Sequence, residues 1–167
     1  MANRMIKTRA RGGAVQLLDC LASLFTLQLL APSGRFYLIS PRLGDMVLLE
    51  SHFGQFRALM PQIGQTELRL SDALRALAAR GTQLRVLASG GEQQTESFLA
   101  RLGPEISARM ISGLTERGLI GESFYLRGSL EFTSDGVATN EDRVELTTDP
   151  AEVARAMLEA DQMWGLH

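Results

Sequence analysis

The amino-acid sequence predicts a single α/β domain built on a mixed β-sheet with helices on both of its faces. Strand-like and helix-like segments alternate in the first two thirds of the chain, and short strand-like runs cluster after residue 106. This order is typical of helices layered on a sheet. The length of 167 residues fits one domain, and 45% apolar with 22% charged residues is usual for a globular protein.

The N-terminal part predicts a basic arm followed by a buried helix. Residues 1–12 carry four basic side chains and end at a glycine pair, so we expect a flexible arm and place the domain at 13–167. Residues 14–30 have helical spacing but are apolar on nearly every side, which predicts a buried helix. Asp19 interrupts this apolar run, which argues against a secretory signal or a membrane span.

The middle of the chain alternates between strands and helices. The apolar runs at 35–40 and 83–89 predict buried strands. A helix begins near Ser71 and stops at Gly81, and another is expected over 92–102. Residues 41–70 show no regular pattern.

The last third predicts several strands and one closing helix. Strand-like runs occur at 106–111, 117–121, 123–127 and 142–147, with glycines between them. Asp149 and Pro150 then have the chemistry of an N-cap and a first helical position, so a helix is expected through Trp164.

Charge and cysteine content limit the function classes. Residues 1–115 have a net charge of +5 and residues 116–167 a net charge of −7. The basic residues Arg4, Lys7, Arg9, Arg11 and Arg42 are therefore candidate contacts for DNA or a partner protein, with solvated surface an equally good interpretation. Cys20 is the single cysteine, which excludes an internal disulfide and fits a cytoplasmic protein.

One stretch carries a motif. "LTERGL" begins at Leu114 and "GSLEFTSDG" at Gly128, and together they resemble the H-x-K, aspartate and G-S-x-N frame of the phospholipase D superfamily. The upstream segments "FYLISPRLGD" and "LRALAARGTQLRVLAS" and the closing "TTDPAEVARAMLEADQMW" are also similar to that family. Within it the chain resembles the short, one-motif DpdK-type proteins of bacterial 7-deazaguanine DNA modification and restriction systems.

The resemblance implies a known chemistry and shows where this chain departs from it. Family members use histidine as a nucleophile on phosphorus, and a second motif supplies the acid, so one motif per chain implies a homodimer. Here the reactive positions of the frame hold other residues, namely Thr115 for histidine, Arg117 for lysine, Glu122 for aspartate and Glu131 for asparagine. Gly128 and Ser129 are retained, whereas the chain's two histidines, His52 and His167, lie outside the motif.

We therefore expect a catalytically inactive phospholipase D-like subunit, which docks in a bacterial DNA-targeting or anti-phage defence assembly. No cofactor, metal or membrane association is expected. Any phosphate would meet Arg117, Gly128 and Ser129, although an internal pair between Arg117 and a glutamate is the simpler interpretation. Two alternatives stay open: a divergent phosphodiesterase or nuclease that uses Arg117, Ser129 and acidic residues, and a nucleic-acid-binding module that uses the basic arm.

Overall fold

A computed structural model describes residues 3–7, 13–50, 67–139 and 143–166 of the chain. Its strands are β1 (Asn3–Lys7), β2 (Arg35–Ile39), β3 (Val47–Glu50), β4 (Glu67–Arg69), β5 (Gln83–Ala88), β6 (Ser107–Met110), β7 (Gly118–Ile120), β8 (Tyr125–Gly128) and β9 (Arg143–Thr147). Its helices are α1 (Gly13–Leu30), α2 (Leu70–Ala79), α3 (Gln93–Arg101), α4 (Ser134–Thr139) and α5 (Pro150–Gly165).

Seven strands form one mixed sheet in the order β1-β9-β8-β7-β2-β5-β6. Strands β2, β5 and β6 run parallel, and β7 joins β2 in the antiparallel direction. Strands β8, β9 and β1 continue the antiparallel part. The predicted mixed sheet is confirmed. Its topology brings the carboxyl ends of β2, β5 and β6 to the same edge as the start of β7.

The two faces of the sheet bury different helices because side chains alternate along each strand. Phe36 and Leu38 of β2 join the larger core, to which α1, α2, α3 and α4 also contribute. Tyr37 and Ile39 point to the other face and pack in a second core with residues of α5. Helices therefore cover both faces, as the sequence predicted. Among the described helices, none is long and apolar enough to cross a membrane.

Part of the predicted flexible arm is an ordered edge strand. Residues 3–7 form β1, which pairs with β9 in a register that sets Arg4 against Leu146. The sequence predicts a flexible arm here, whereas these five residues form a strand because their main-chain groups pair with those of β9. Arg4 is exposed there, whereas Arg9 and Arg11 lie outside the described residues.

Two further features were not predicted. Val47–Glu50 and Glu67–Arg69 form a separate antiparallel pair in the region expected to be irregular. The short helix α4 follows the glycine-serine half of the motif. Both contribute to the larger core through Leu48, Leu68 and Val137.

Candidate functional site

The two halves of the motif lie side by side at one edge of the sheet. Thr115 and Arg117 come directly before β7, and Ser129 comes directly after β8. Strands β7 and β8 are antiparallel, with Gly118 paired to Arg127, so the start of one strand meets the end of the other. A Cβ atom at position 118 would lie 2.5 Å from the Leu126 carbonyl oxygen, which restricts this close passage to glycine.

The segment that follows β2 also lies at this edge of the sheet and contacts the motif. Leu43 forms an isolated parallel bridge with Phe132, and the Gly44 N–H donates to the Phe132 carbonyl oxygen at 2.8 Å. The Ser40 hydroxyl lies between the two segments, donating to the Arg42 carbonyl at 2.6 Å and accepting from the Phe132 N–H at 3.4 Å. These contacts hold Arg42 beside the motif, although Arg42 precedes Gly128 by 86 positions in the sequence.

Four charged side chains form a continuous network across the site. The Glu131 carboxylate lies between two arginines, with Oε1 3.3 Å from Arg117 Nη2 and Oε2 3.4 Å from Arg42 Nη1. Arg42 also makes a close two-point contact with Glu92, with Nε 2.9 Å from both carboxylate oxygens. Two guanidinium groups and two carboxylates give the network no net charge.

The pKa values in this network follow from its pairing. The hydrogen bond from Arg42 lowers the pKa of Glu92 below its ordinary value, and the same bond raises the pKa of Arg42. Both groups therefore keep their charge at neutral pH. We conclude that the Arg42 charge is committed to carboxylates of its own chain.

Arg117 is less completely satisfied than Arg42. Its side chain is 30% exposed, and its Nη2 atom lies 3.3 Å from Glu131 Oε1. The Arg117 Nε atom is buried and has no hydrogen-bond partner among the described residues. A buried N–H without an acceptor costs free energy, so this arginine is held at a cost that Arg42 does not carry.

The hydroxyl at the nucleophile position of the motif has no effective base beside it. The exposed Thr115 hydroxyl lies 3.4 Å from Glu116 Oε2, at the limit of a hydrogen bond. A carboxylate at that distance is a poor base for an alcohol. Gly128 has a φ of 152°, a conformation that side-chain-bearing residues rarely adopt, and it turns the chain towards half-buried Ser129.

Glu122 does not belong to this site. Glu122 follows β7 and Arg117 precedes β7, so the two residues lie at opposite ends of a three-residue strand. Its backbone N–H donates to the Ser33 hydroxyl at 3.1 Å, and its carboxylate lies near Gly34, before β2 begins. His52 and His167 both lie outside the described residues.

The acidic residues do not create a metal centre in the part of the chain that the structure describes. No group of three or more histidine, cysteine, aspartate or glutamate side chains there is arranged to hold a metal ion. The carboxylates of Glu92 and Glu131 contact arginines instead.

Sequence reasoning missed the role of Glu92. It directly follows a glycine pair and occupies the N-cap position of α3, without a side-chain capping bond. Its carboxylate accepts from Arg42 and, at 3.4 Å, from the Thr95 hydroxyl. Fifty positions separate it from Arg42, so no local pattern could have signalled the pair.

Comparison with known proteins identifies the fold. No protein-family model and no curated protein sequence matches the chain. Among solved structures, NucT from Helicobacter pylori is similar with a TM-score of 0.67 and 12% identity over 98% of this chain and 96% of that one. Nuc from Salmonella typhimurium, a phospholipase D family member, has a TM-score of 0.64 and 11% identity over 98% and 94% of the two chains.

A polyphosphate kinase from Porphyromonas gingivalis contains a similar unit. It aligns with a TM-score of 0.63 and 12% identity over 98% of this chain and 26% of its own length. Identities this low show a common fold and carry no information on activity. The chain therefore has the α/β fold of the phospholipase D-like structures.

Proposed function

We propose that this chain is a non-catalytic phospholipase D-like subunit that serves as a docking component of a bacterial DNA-targeting or anti-phage assembly. The inference that the chain is non-catalytic rests on the geometry of the site. The inference that it docks in such an assembly rests on the resemblance of the motif segments to DpdK-type proteins. One motif per chain also favours a homodimer, or pairing with another subunit that supplies a second site.

The position of Glu131 is the observation that carries the proposal. A phosphodiester entering the site would meet this carboxylate between Arg42 and Arg117, and like charges repel. Glu131 is 20% exposed, so solvent screens that repulsion only in part. The two arginines that could bind the substrate are already paired with carboxylates, and none of the described residues around them carries an imidazole for covalent catalysis.

The purified chain is expected not to hydrolyse a simple phosphodiester. Bis(4-nitrophenyl) phosphate and a DNA oligonucleotide should remain intact with and without Mg²⁺ or Mn²⁺, because Thr115 lacks an effective base and the arginines are paired. The measurement is release of nitrophenolate and gel analysis of the DNA. If the wild type showed turnover and Ser129→Ala did not, the divergent phosphodiesterase would be supported and the proposed inactivity would be wrong.

The docking role is tested by recovering the chain from its native host. We expect a tagged chain to co-purify with components of a DNA-modification or restriction system, identified by mass spectrometry. Nuclease treatment of the lysate separates protein contacts from bridging DNA. A chain that is recovered alone would contradict the docking role, and partners that are lost after nuclease treatment would favour the nucleic-acid-binding alternative.

A further inference from the structure

Strand β6 leaves one side of its main chain unpaired at the edge of the seven-stranded sheet. Among the described strands it pairs with β5 alone, in a parallel register that sets Ala108 against Val86 and Met110 against Ala88. The Ile111 N–H donates to the Ala88 carbonyl oxygen at 2.8 Å. Because main-chain groups alternate in direction along a strand, Ala108 and Met110 point their N–H and C=O groups away from β5.

This unpaired side of β6 is accessible. Ser107, Ala108 and Met110 are exposed, and Met110 keeps 47% of its surface accessible. Sheet edges are usually covered, bulged, or guarded by charge or proline. Strand β6 contains no proline, and its register with β5 shows no bulge. Its main-chain donors and acceptors therefore form a template for an added strand.

The one charged side chain of β6 limits which strand fits. Arg109 lies on the side of the sheet that α5 covers, where its guanidinium carbon is 4.4 Å from the Trp164 ring centroid. The same side chain donates to the Trp164 carbonyl oxygen. Among the described residues it contacts no carboxylate. The Arg109 charge is therefore available to a carboxylate on the added strand.

The same charge disfavours a second copy of the chain as the added strand. If two β6 strands paired antiparallel and each used both Ala108 and Met110, Arg109 of one copy would lie directly opposite Arg109 of the other. Like charges in that position are destabilising. The other edge strand, β1, has the sequence NRMIK with two basic residues, so pairing β6 with β1 of a copy would also bring cations together. An acidic strand from another protein avoids both conflicts.

We infer that β6 accepts an antiparallel strand from a partner protein, in which an acidic residue lies between two apolar ones. The two apolar residues would pair with Ala108 and Met110 through main-chain hydrogen bonds, on the side of the sheet where the Met110 sulfur approaches Gly90. The acidic residue would point to the opposite side, towards Arg109. The inference rests on the proposed docking function and names the surface and the sequence pattern through which the partner binds.

Short peptides test this inference with the whole chain. Acetyl-Thr-Val-Glu-Val-Thr-amide is expected to shift the Ala108 and Met110 amide signals in a ¹H–¹⁵N spectrum. It should bind about three- to tenfold more tightly than the same peptide with lysine in place of glutamate. The preference for glutamate should disappear in Arg109→Gln. It should persist in Arg75→Gln, which removes an exposed arginine of α2 instead.

A main-chain variant separates strand pairing from simple charge attraction. Ala108→Pro removes an N–H that points away from β5, so the bonds between β6 and β5 remain while peptide binding should be lost. The same loss is expected with the wild type when both peptide valines carry N-methyl groups.

Three results would overturn the inference: equal binding of the glutamate and lysine peptides, unchanged Ala108 and Met110 signals, or full binding of the N-methylated peptide. Signals of these two residues that shift with protein concentration alone would show self-pairing and would overturn it as well. None of these results bears on phosphodiester turnover or on co-purification, so the proposed function is judged separately.

Discussion

Asp161→Ala is expected to lower the free energy of unfolding by about 2 kcal/mol, since it removes the acceptor that anchors α5 to the sheet. Asp161 Oδ1 accepts from the Tyr37 hydroxyl at 2.7 Å, and Oδ2 accepts from Arg35 at 2.6 Å. Arg85 lies 3.3 Å from the same carboxylate. Asp161 is 27% exposed, so solvent screens these contacts only partly. Urea denaturation measures the loss.

Glu159→Ala is the matched control for this prediction. Glu159 lies on the same helix and pairs with Arg155 at 3.5 Å, but it is 65% exposed. An exposed pair contributes less than about 1 kcal/mol. Equal losses from both variants would show that helix propensity or surface charge, and not the contacts with Tyr37 and Arg35, explains the effect.

The same carboxylate predicts a loss of stability in acid. Burial alone raises the pKa of Asp161, but the hydrogen bonds from Tyr37 and Arg35 outweigh it and lower the pKa below its ordinary value. The group therefore stabilises the fold fully above about pH 4, the usual aspartate range, and loses this effect as pH falls through the lowered value. The stability difference between wild type and Asp161→Asn should shrink across that acid range.

A second set of contacts holds the end of α5 on the sheet. Trp164 near the helix end lies under two guanidinium groups, with Arg109 4.4 Å and Arg85 5.1 Å from the ring centroid. Tyr37 meets the same indole edge-on at 6.4 Å. Contacts of this kind add stability beyond simple burial. They fix the end of α5 against β2, β5 and β6.

The main elements were predictable because their signals are local. The run at 35–40 is apolar enough to be a buried strand wherever it lies, and Asp149 caps α5 through bonds to the N–H groups of Ala151 and Glu152. Strand β1 gives no comparable signal. It pairs with β9, some 140 positions away in sequence, and its partner rather than its own pattern makes it a strand.

The site was predictable only in part, for the same reason. The motif placed Thr115, Arg117, Gly128 and Ser129 together, because adjacent antiparallel strands bring its halves together. The spacing of the motif placed Glu122 with these residues. In the structure β7 separates Glu122 from Arg117, so Glu122 lies at the opposite end of that three-residue strand. The contact of Arg42 with Glu92 depends on two parallel strands ending at one edge, which only the topology reveals.

Glu131→Gln is expected to convert the neutral network into an oxyanion site. The substitution keeps the shape of the side chain and removes its charge, so Arg117 loses its carboxylate partner and Arg42 loses one of its own while it keeps Glu92. Unlike charges about 4 Å apart at a protein surface interact by about 4 kcal/mol, and exposure of Arg42 reduces this. We expect inorganic phosphate to bind at least about tenfold more tightly than to the wild type. Thermal shift at constant ionic strength measures it.

Glu122→Gln is the control, because it removes the same charge from the same stretch of sequence but at the far end of the sheet. It should leave phosphate binding unchanged, whereas Arg117→Met added to Glu131→Gln should abolish the gain. A gain in both single variants would reflect net charge alone. If the wild type bound phosphate as tightly as Glu131→Gln, the Glu131 carboxylate would not hinder phosphate binding. The motif segments would then form an open anion site and not one blocked by its own carboxylate.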